Sequence, residues 1–198
     1  MGERLANGNA AIALLANSIA TGAMLVVLIL MFGPLSGAHF NPVVTLVMAF
    51  RNRMAPYQVL QYLGSQGAGA LVGVACANVM FGLPLFSASE HSRTGRAQAF
   101  SEFLATFGLL MVILVCGKFR DAVVPYAVAG YITAAYWFTA STSFANPIVT
   151  LARSLTNTFS GIRPSDVPLF IFAQVCGGAC AVGVFRWMGC DLSGKGTA

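Results

Sequence analysis

Apolar residues fill this chain in long blocks, separated by short junctions rich in Gly, Pro and polar side chains. Five blocks stand out, from about Ala10 to Phe32, Tyr57 to Phe81, Ala97 to Gly117, Ala122 to Ala140 and Val167 to Met188. Each is close to the ~20 residues that cross the hydrocarbon layer as a helix, so each predicts a transmembrane span. Two shorter apolar stretches, Asn41–Phe50 and Asn146–Leu155, follow the first and fourth blocks. At ~10 residues they are too short to cross, and beside full spans they read as re-entrant half-helices. The pattern predicts an all-α membrane protein.

The two half-helices open on one motif. Residues 36–46 read SGAHFNPVVTL and residues 141–151 read STSFANPIVTL. Ser36, Asn41, Pro42, Val44, Thr45 and Leu46 recur as Ser141, Asn146, Pro147, Val149, Thr150 and Leu151, at an offset of 146 − 41 = 105. Paired breaks in corresponding positions of a membrane chain mark a duplicated unit with a transport site at its centre. The repeats are taken as 1–81, incomplete, and 97–190, within a single channel domain over 1–198. The second unit places two spans before its motif and the first places one. One helix of six is therefore expected to be missing from the N-terminal side, with Met1–Asn9 reading as the loop after it. Such a chain is expected to leave one wall of its pore open.

Composition sharpens this reading. The chain is 57% hydrophobic and 9% charged, where a soluble domain carries about 25% charged residues. Its net charge of +5 is scattered, with no basic block of the kind that binds nucleic acid. Cys76, Cys116, Cys176, Cys180 and Cys190 show no Cys-x-x-Cys or Cys/His ligand spacing, so neither a metal nor another cofactor is expected. Gly67 and Gly69 follow Gln66 much as Gly177 and Gly178 follow Gln174, and read as close-packing positions between helices.

Asn-Pro opens a helix well, because Asn caps and Pro fits the first helical position. Asn41 and Asn146 are thus expected to cap half-helices whose N-termini face each other at mid-membrane. The side-chain NH2 groups are expected to donate into a pore. Two such ends place about half a positive charge each at one depth, which opposes cations and lets neutral solutes pass.

SGAHFNP at 36–42, SEFLATFGLL at 101–110 and SFANP at 143–147 resemble the aquaporin (major intrinsic protein) family over residues 10–190. SFANPIVTLARS is similar to the bacterial branch found with arsenic-resistance genes. The resemblance implies an aquaporin-like inverted repeat of six spans and two half-helices, five of the spans being present here. It implies a homotetramer with one pore per subunit in the bacterial inner membrane. The third motif residue is Val43 and Ile148 where the family has Ala. The family's filter Arg, three residues after the second Asn, is Val149. Carried over by spacing, the filter positions are Thr21, Ala134, Ser143 and Val149, a small and uncharged ring.

Three other residues stand near these motifs. Arg153 lies one turn beyond Val149. Helical side chains tilt toward the N-terminus, so its guanidinium can reach back to the filter, but a snorkelling Arg at the outer surface is the preferred reading. Glu102 is the acid inside a span, and two roles stand open: a proton relay, or, as the resemblance implies, an acceptor for the non-helical backbone entering the second half-helix. His39, two residues before Asn41, is a candidate gate by titration or a loop-packing residue. On the family topology Arg51, Arg53, Lys118, Arg120, Arg186 and Lys195 face the cytoplasm, against Arg4, Arg93, Arg96 and Arg163 outside, a slight positive-inside bias.

A passive channel for small neutral solutes leads: glycerol-like polyols, undissociated arsenite or methylated arsenicals, and water. An ion-coupled transporter built on Glu102 and a non-conducting truncated membrane protein are the alternatives. No nucleophile–base or metal constellation supports an enzyme.

Overall fold

The computed structural model describes residues 1–190 and Leu192; Lys195 lies outside the described residues. Among the described residues, eight α-helices make the fold: α1 (Gly2–Leu5), α2 (Ala10–Ser36), α3 (Pro42–Asn52), α4 (Pro56–Met80), α5 (Arg96–Phe119), α6 (Val124–Phe138), α7 (Pro147–Arg153) and α8 (Val167–Trp187). No strand occurs among the described residues.

The helix ends follow local chemistry. Asn9 caps α2, its Oδ1 accepting from Ala11 N at 3.0 Å and Ile12 N at 3.2 Å. Gly37 closes α2 in the left-handed region, at φ 72°, with its N–H donating to Gly33 O. Proline stands at the first turn of α3, α4, α6, α7 and α8, where a missing N–H costs nothing.

Among the described residues, four stretches are long and apolar enough to cross a membrane by themselves: α2, α4, α5 and α8 with its lead-in turn. The fourth expected span is shorter than predicted. α6 has 15 residues, preceded by a 3-10 turn at Asp121–Val123, and ends where Thr139 turns extended. Together the two pieces reach about 28 Å, close to the ~30 Å hydrocarbon thickness. The second half-helix also stops early, after seven residues, because Ser154 tightens onto Leu151 through both its N–H and its hydroxyl. Met1–Asn9, expected as a loop, contains α1. Its Glu3 accepts from Phe159 N and its Arg4 donates to Phe81 O, tying the N-terminal turn to the loops that follow α4 and α7.

The core lies where α3, α5, α6 and α8 meet, with Val43, Val44, Leu110, Leu114, Ile132 and Phe185 buried together. α5 packs along α8 and along α6, and α2 packs along α6. Gly177 permits the first contact: a Cβ there would sit 2.3 Å from the Phe103 carbonyl oxygen of α5. Since that atom is backbone, Gly177→Ala is expected to lower stability by about 1–3 kcal/mol, read as a fall in the detergent-solubilised melting temperature.

Among the described residues, no helix of the first repeat stands in the place that α5 takes in the second. α4 packs on the half-helices α3 and α7 and makes no comparable contact with α2. Gly69, which corresponds to Gly177 when Gln66 is aligned with Gln174, meets nothing within 4 Å. A groove therefore runs between α2 and α4, at the position related by the repeat to α5.

Candidate functional site

The half-helices α3 and α7 meet through crossed side chains. Asn41 Oδ1 accepts from Val43 N at 2.9 Å, while Asn146 Oδ1 accepts from Ile148 N at 3.1 Å and Val149 N at 3.4 Å. The amide nitrogens reach across the repeat. Asn41 Nδ2 donates to Ala145 O at 2.7 Å, and Asn146 Nδ2 donates to Phe40 O at 2.8 Å. Phe40 and Ala145 are themselves related by the offset of 105. One proton of each NH2 is thus taken up by the opposite loop and one remains for a ligand. Of the NH2 donors expected to face a pore, one proton of each is therefore held by the protein itself.

Those carbonyls are aimed by strained backbone. Ala38 and Phe40 have φ of 47°, and their counterparts Ser143 and Ala145 have φ of 51° and 49°. Left-handed conformations in non-glycine residues cost about 1–3 kcal/mol each and persist only where surroundings hold them. In the second repeat Glu102 is the holder. It is fully buried, with Oε1 accepting from Phe144 N at 2.8 Å and Oε2 from Ala145 N at 2.8 Å. Gln174 Nε2 donates to Glu102 Oε2 at 2.6 Å and to Thr150 Oγ1 at 2.8 Å. Gln66 Nε2 donates to Thr45 Oγ1 at 2.8 Å, repeating the Gln174–Thr150 pair. The matching N–H groups of His39 and Phe40 meet no carboxylate among the described residues.

Two cavities of different character lie on either side of this crossing. The first, of 410 Å³, is walled by Leu25, Ile29, Leu109, Ile113, Val128 and Ile132. Its other face presents the Gly37–Phe40 segment, Asn41 and Asn146, and it opens beside Arg51, Asn52 and Asp121. The second, of 800 Å³, lies between α1, α2, α4 and α7 and reaches Val149 and Arg153. A third, of 620 Å³, continues the α2–α4 groove past His39, Phe40, Gln66 and Ile148. Val43 differs from Ile148 in being buried, against Gly178 of α8.

The expected filter positions come together only in part. Val149 borders the second and third cavities. Ser143 is buried with its Oγ unpartnered. Thr21 Oγ1 lies 3.3 Å from the hydroxyl of Tyr136. Ala134 is exposed on α6, turned away from the face that buries Ile132, Ala135 and Tyr136. A slip of two positions along a helix rotates a side chain by about 200°, and Tyr136 takes the inward place instead. Arg153 is not a snorkelling surface residue. Its Nη2 donates to Tyr136 OH at 3.0 Å, and its guanidinium carbon lies 4.3 Å from the Phe144 ring centre. His39 stacks on Tyr62 with centroids 4.8 Å apart, and its Nδ1 is buried without a partner.

Three residues of this region are not evident from the sequence motifs. Tyr136 falls on the inward stripe Val128, Ile132, Ala135, Thr139, which its α6 spacing reveals. Phe144 sits in non-helical chain and carries no periodic signal. Arg93, expected simply as an outer-loop charge, is buried. It donates to Gly161 O at 2.8 Å, Ser141 O at 3.0 Å, Thr142 Oγ1 at 3.3 Å and Phe159 O at 3.3 Å. Burial first, and then the charge of Arg153, push its guanidinium down to about 10, so it remains a cation at neutral pH.

Membrane helices around two half-helices whose capping Asn residues cross at the centre define a channel-type integral membrane protein rather than an enzyme. Residues 3–130 match the major intrinsic protein family, and the chain belongs to that family. It is 56% identical over 178 residues to an aquaglyceroporin, AqpS, of Rhizobium meliloti, covering 90% of this chain and 76% of the relative. Over shorter stretches it is 36% identical to a glycerol uptake facilitator protein-like 6 of Lactiplantibacillus plantarum, covering 50% of this chain and 49% of the relative. A probable aquaporin, NIP4-2, of Arabidopsis thaliana is 35% identical over 46% of this chain and 33% of the relative.

Proposed function

We propose that this chain is a passive channel for small neutral solutes, with glycerol-like polyols the leading substrates. Undissociated arsenous acid and small methylated arsenicals belong to the same class, and water passes as well. The reading rests on one observation above all. The 410 Å³ cavity sets an apolar wall opposite a polar edge made by the Gly37–Phe40 segment and the two Asn side chains. A polyol has the same two-sided character, with C–H groups along one edge and hydroxyls along the other. The Asn41 and Asn146 NH2 groups each keep a proton for such hydroxyls. The similarity to an aquaglyceroporin and to a glycerol uptake facilitator-like protein supports the same solute class. The proposed setting is the bacterial inner membrane, with four copies assembled around separate pores.

Ion coupling finds no second support, because both oxygens of Glu102 are engaged by backbone N–H groups and Gln174. Stopped-flow measurements on liposomes containing the chain test the proposal. Glycerol and arsenous acid are expected to enter faster than in protein-free liposomes. Water entry with exclusion of both solutes contradicts the assignment. Val149→Arg narrows the space beside Arg153 and adds a charge, so it is expected to lower glycerol entry severalfold at equal protein level.

A further inference from the structure

We propose that the end of the bundle where α3, α5 and α8 stop binds an anionic phospholipid headgroup, gripped by Arg51, Lys118 and Arg186. The inference needs only that the chain spans a membrane, and it concerns a surface apart from the Asn41–Asn146 crossing. Each of the three cations stands in the last turn of its helix. α8 packs on both α5 and α3, which brings these helix ends together. Arg51 reaches the α5 backbone at Gly117, where a Cβ would sit 3.7 Å from its Nη1. Lys118, the next residue, holds its Nζ 5.8 Å from the Phe185 ring centre and 5.8 Å from that of Phe119. Arg186 follows Phe185 directly. Three cations from three elements therefore border one short stretch of surface.

The two ends of the bundle treat their cations differently. At the opposite end Arg4, Arg93, Arg153 and Arg163 all donate to oxygens of the chain. Among the described residues, the side chains of Arg51, Arg53, Lys118, Arg120 and Arg186 donate to no oxygen, and the salt bridge found is Arg163 with Asp166. Glu3, Glu90 and Asp166 stand at the opposite end and Glu102 in the core. Asp121 is then the acid that the described residues place beside the five cations. A helix C-terminus carries about half a negative charge, so basic residues in last turns are favourable without any ligand. Three such ends and Asp121 offset about half of the five positive charges, and the excess remains. The surrounding surface suits the headgroup level of a bilayer. Trp187 is 85% exposed, Phe50 67% and Phe119 65%. Tryptophan rests where hydrocarbon meets headgroup, so a phosphate between Lys118 and Arg186 lays its acyl chains along Trp187 and Phe119. A soluble phosphate has no chains to set against these rings. Basic pockets between membrane helices hold anionic headgroups, each Lys or Arg contributing about fivefold in affinity. Arg51 also borders the mouth of the 410 Å³ cavity, so the headgroup stands beside the proposed solute path.

The chain's two tryptophans make the test direct. Trp137 lies at the opposite end, its Nε1 donating to Ser18 Oγ at 3.1 Å, so Trp137→Phe leaves Trp187 as the sole reporter. Its fluorescence is read in bilayers that mix phosphatidylglycerol with phosphatidylcholine, one of the two carrying bromine on its acyl chains. Quenching is expected to show phosphatidylglycerol favoured beside Trp187 by about tenfold or more. High NaCl is expected to lower that preference severalfold. Lys118→Gln and Arg186→Gln, each added to the reporter variant, are expected to lower it by about fivefold. Equal quenching by the two lipids in the reporter variant overturns the inference, as does an unchanged preference in both Gln variants. Should the Gln variants fail to fold, a preference that high NaCl leaves unchanged overturns it instead. Inorganic phosphate, compared with chloride at equal ionic strength, is expected to leave the preference in place. Loss of the preference to phosphate alone makes this a site for a soluble anion and overturns the lipid assignment.

Discussion

Glu102→Leu is expected to remove most of the protein's stability in detergent together with its solute flux. The substitution strands the N–H groups of Phe144 and Ala145, and one donor of Gln174, in a site with no solvent access. Each buried group left unpaired costs about 1–3 kcal/mol, so the three together cost about 3–9 kcal/mol. That is a large part of the ~5–15 kcal/mol by which domains are stable. The same loss frees Ser143 and Ala145 from their left-handed conformations, and with them the carbonyl that Asn41 grips. Glu102→Gln keeps one acceptor but turns an NH2 toward a backbone N–H, and is expected to fall between the two. Thermal unfolding in detergent and glycerol entry into liposomes read both effects. Parental stability in Glu102→Leu would remove Glu102 from its role as the support of the second half-helix.

The second large effect is expected from the asparagines. Asn41→Ala removes a cap of about 0.5–2 kcal/mol. It also removes the bond to Ala145 O, and leaves that carbonyl unpaired where Ala145 is fully buried. The combined cost is about 1.5–5 kcal/mol. Asn146→Ala loses a cap that serves two N–H groups and the bond to Phe40 O, but Asn146 is less buried, so its cost in stability is expected to be smaller. Glycerol entry is expected to fall sharply in both, because each loses its remaining NH2 proton as a ligand for solute. Full entry in both single variants at equal protein level would show that the asparagines do not line the path.

Most of this architecture was legible in the chain because two of its signals are local. Block length and hydropathy locate α2, α4, α5 and α8, and the Asn-Pro pairs locate both half-helices to within a few residues. The repeat offset of 105 also anticipates which carbonyl meets which amide, once Phe40 and Ala145 are seen to correspond. What spacing could not give was the direction of single side chains. Ala134 and Tyr136 are two residues apart, yet one is exposed and the other is buried beside Thr21 and Arg153. Counting back from Asn146 crosses the non-helical segment Thr139–Ala145, whose path no periodicity encodes. Arg93 was illegible for a related reason, since a loop cation reads as exposed until four oxygens from distant parts of the chain converge on it. The groove between α2 and α4 was foreshadowed by the uneven repeat, and the open space at Gly69 is its structural expression.

Neutral solutes are expected to cross at the meeting of α3 and α7, driven by their own gradient alone. The most direct test of this crossing is glycerol entry into liposomes holding the chain, measured with and without imposed H+ and Na+ gradients. Entry is expected above protein-free liposomes, at a rate that neither gradient changes and that falls in Asn41→Ala and Asn146→Ala. Entry that requires either gradient, or that persists unchanged in both variants, would contradict it.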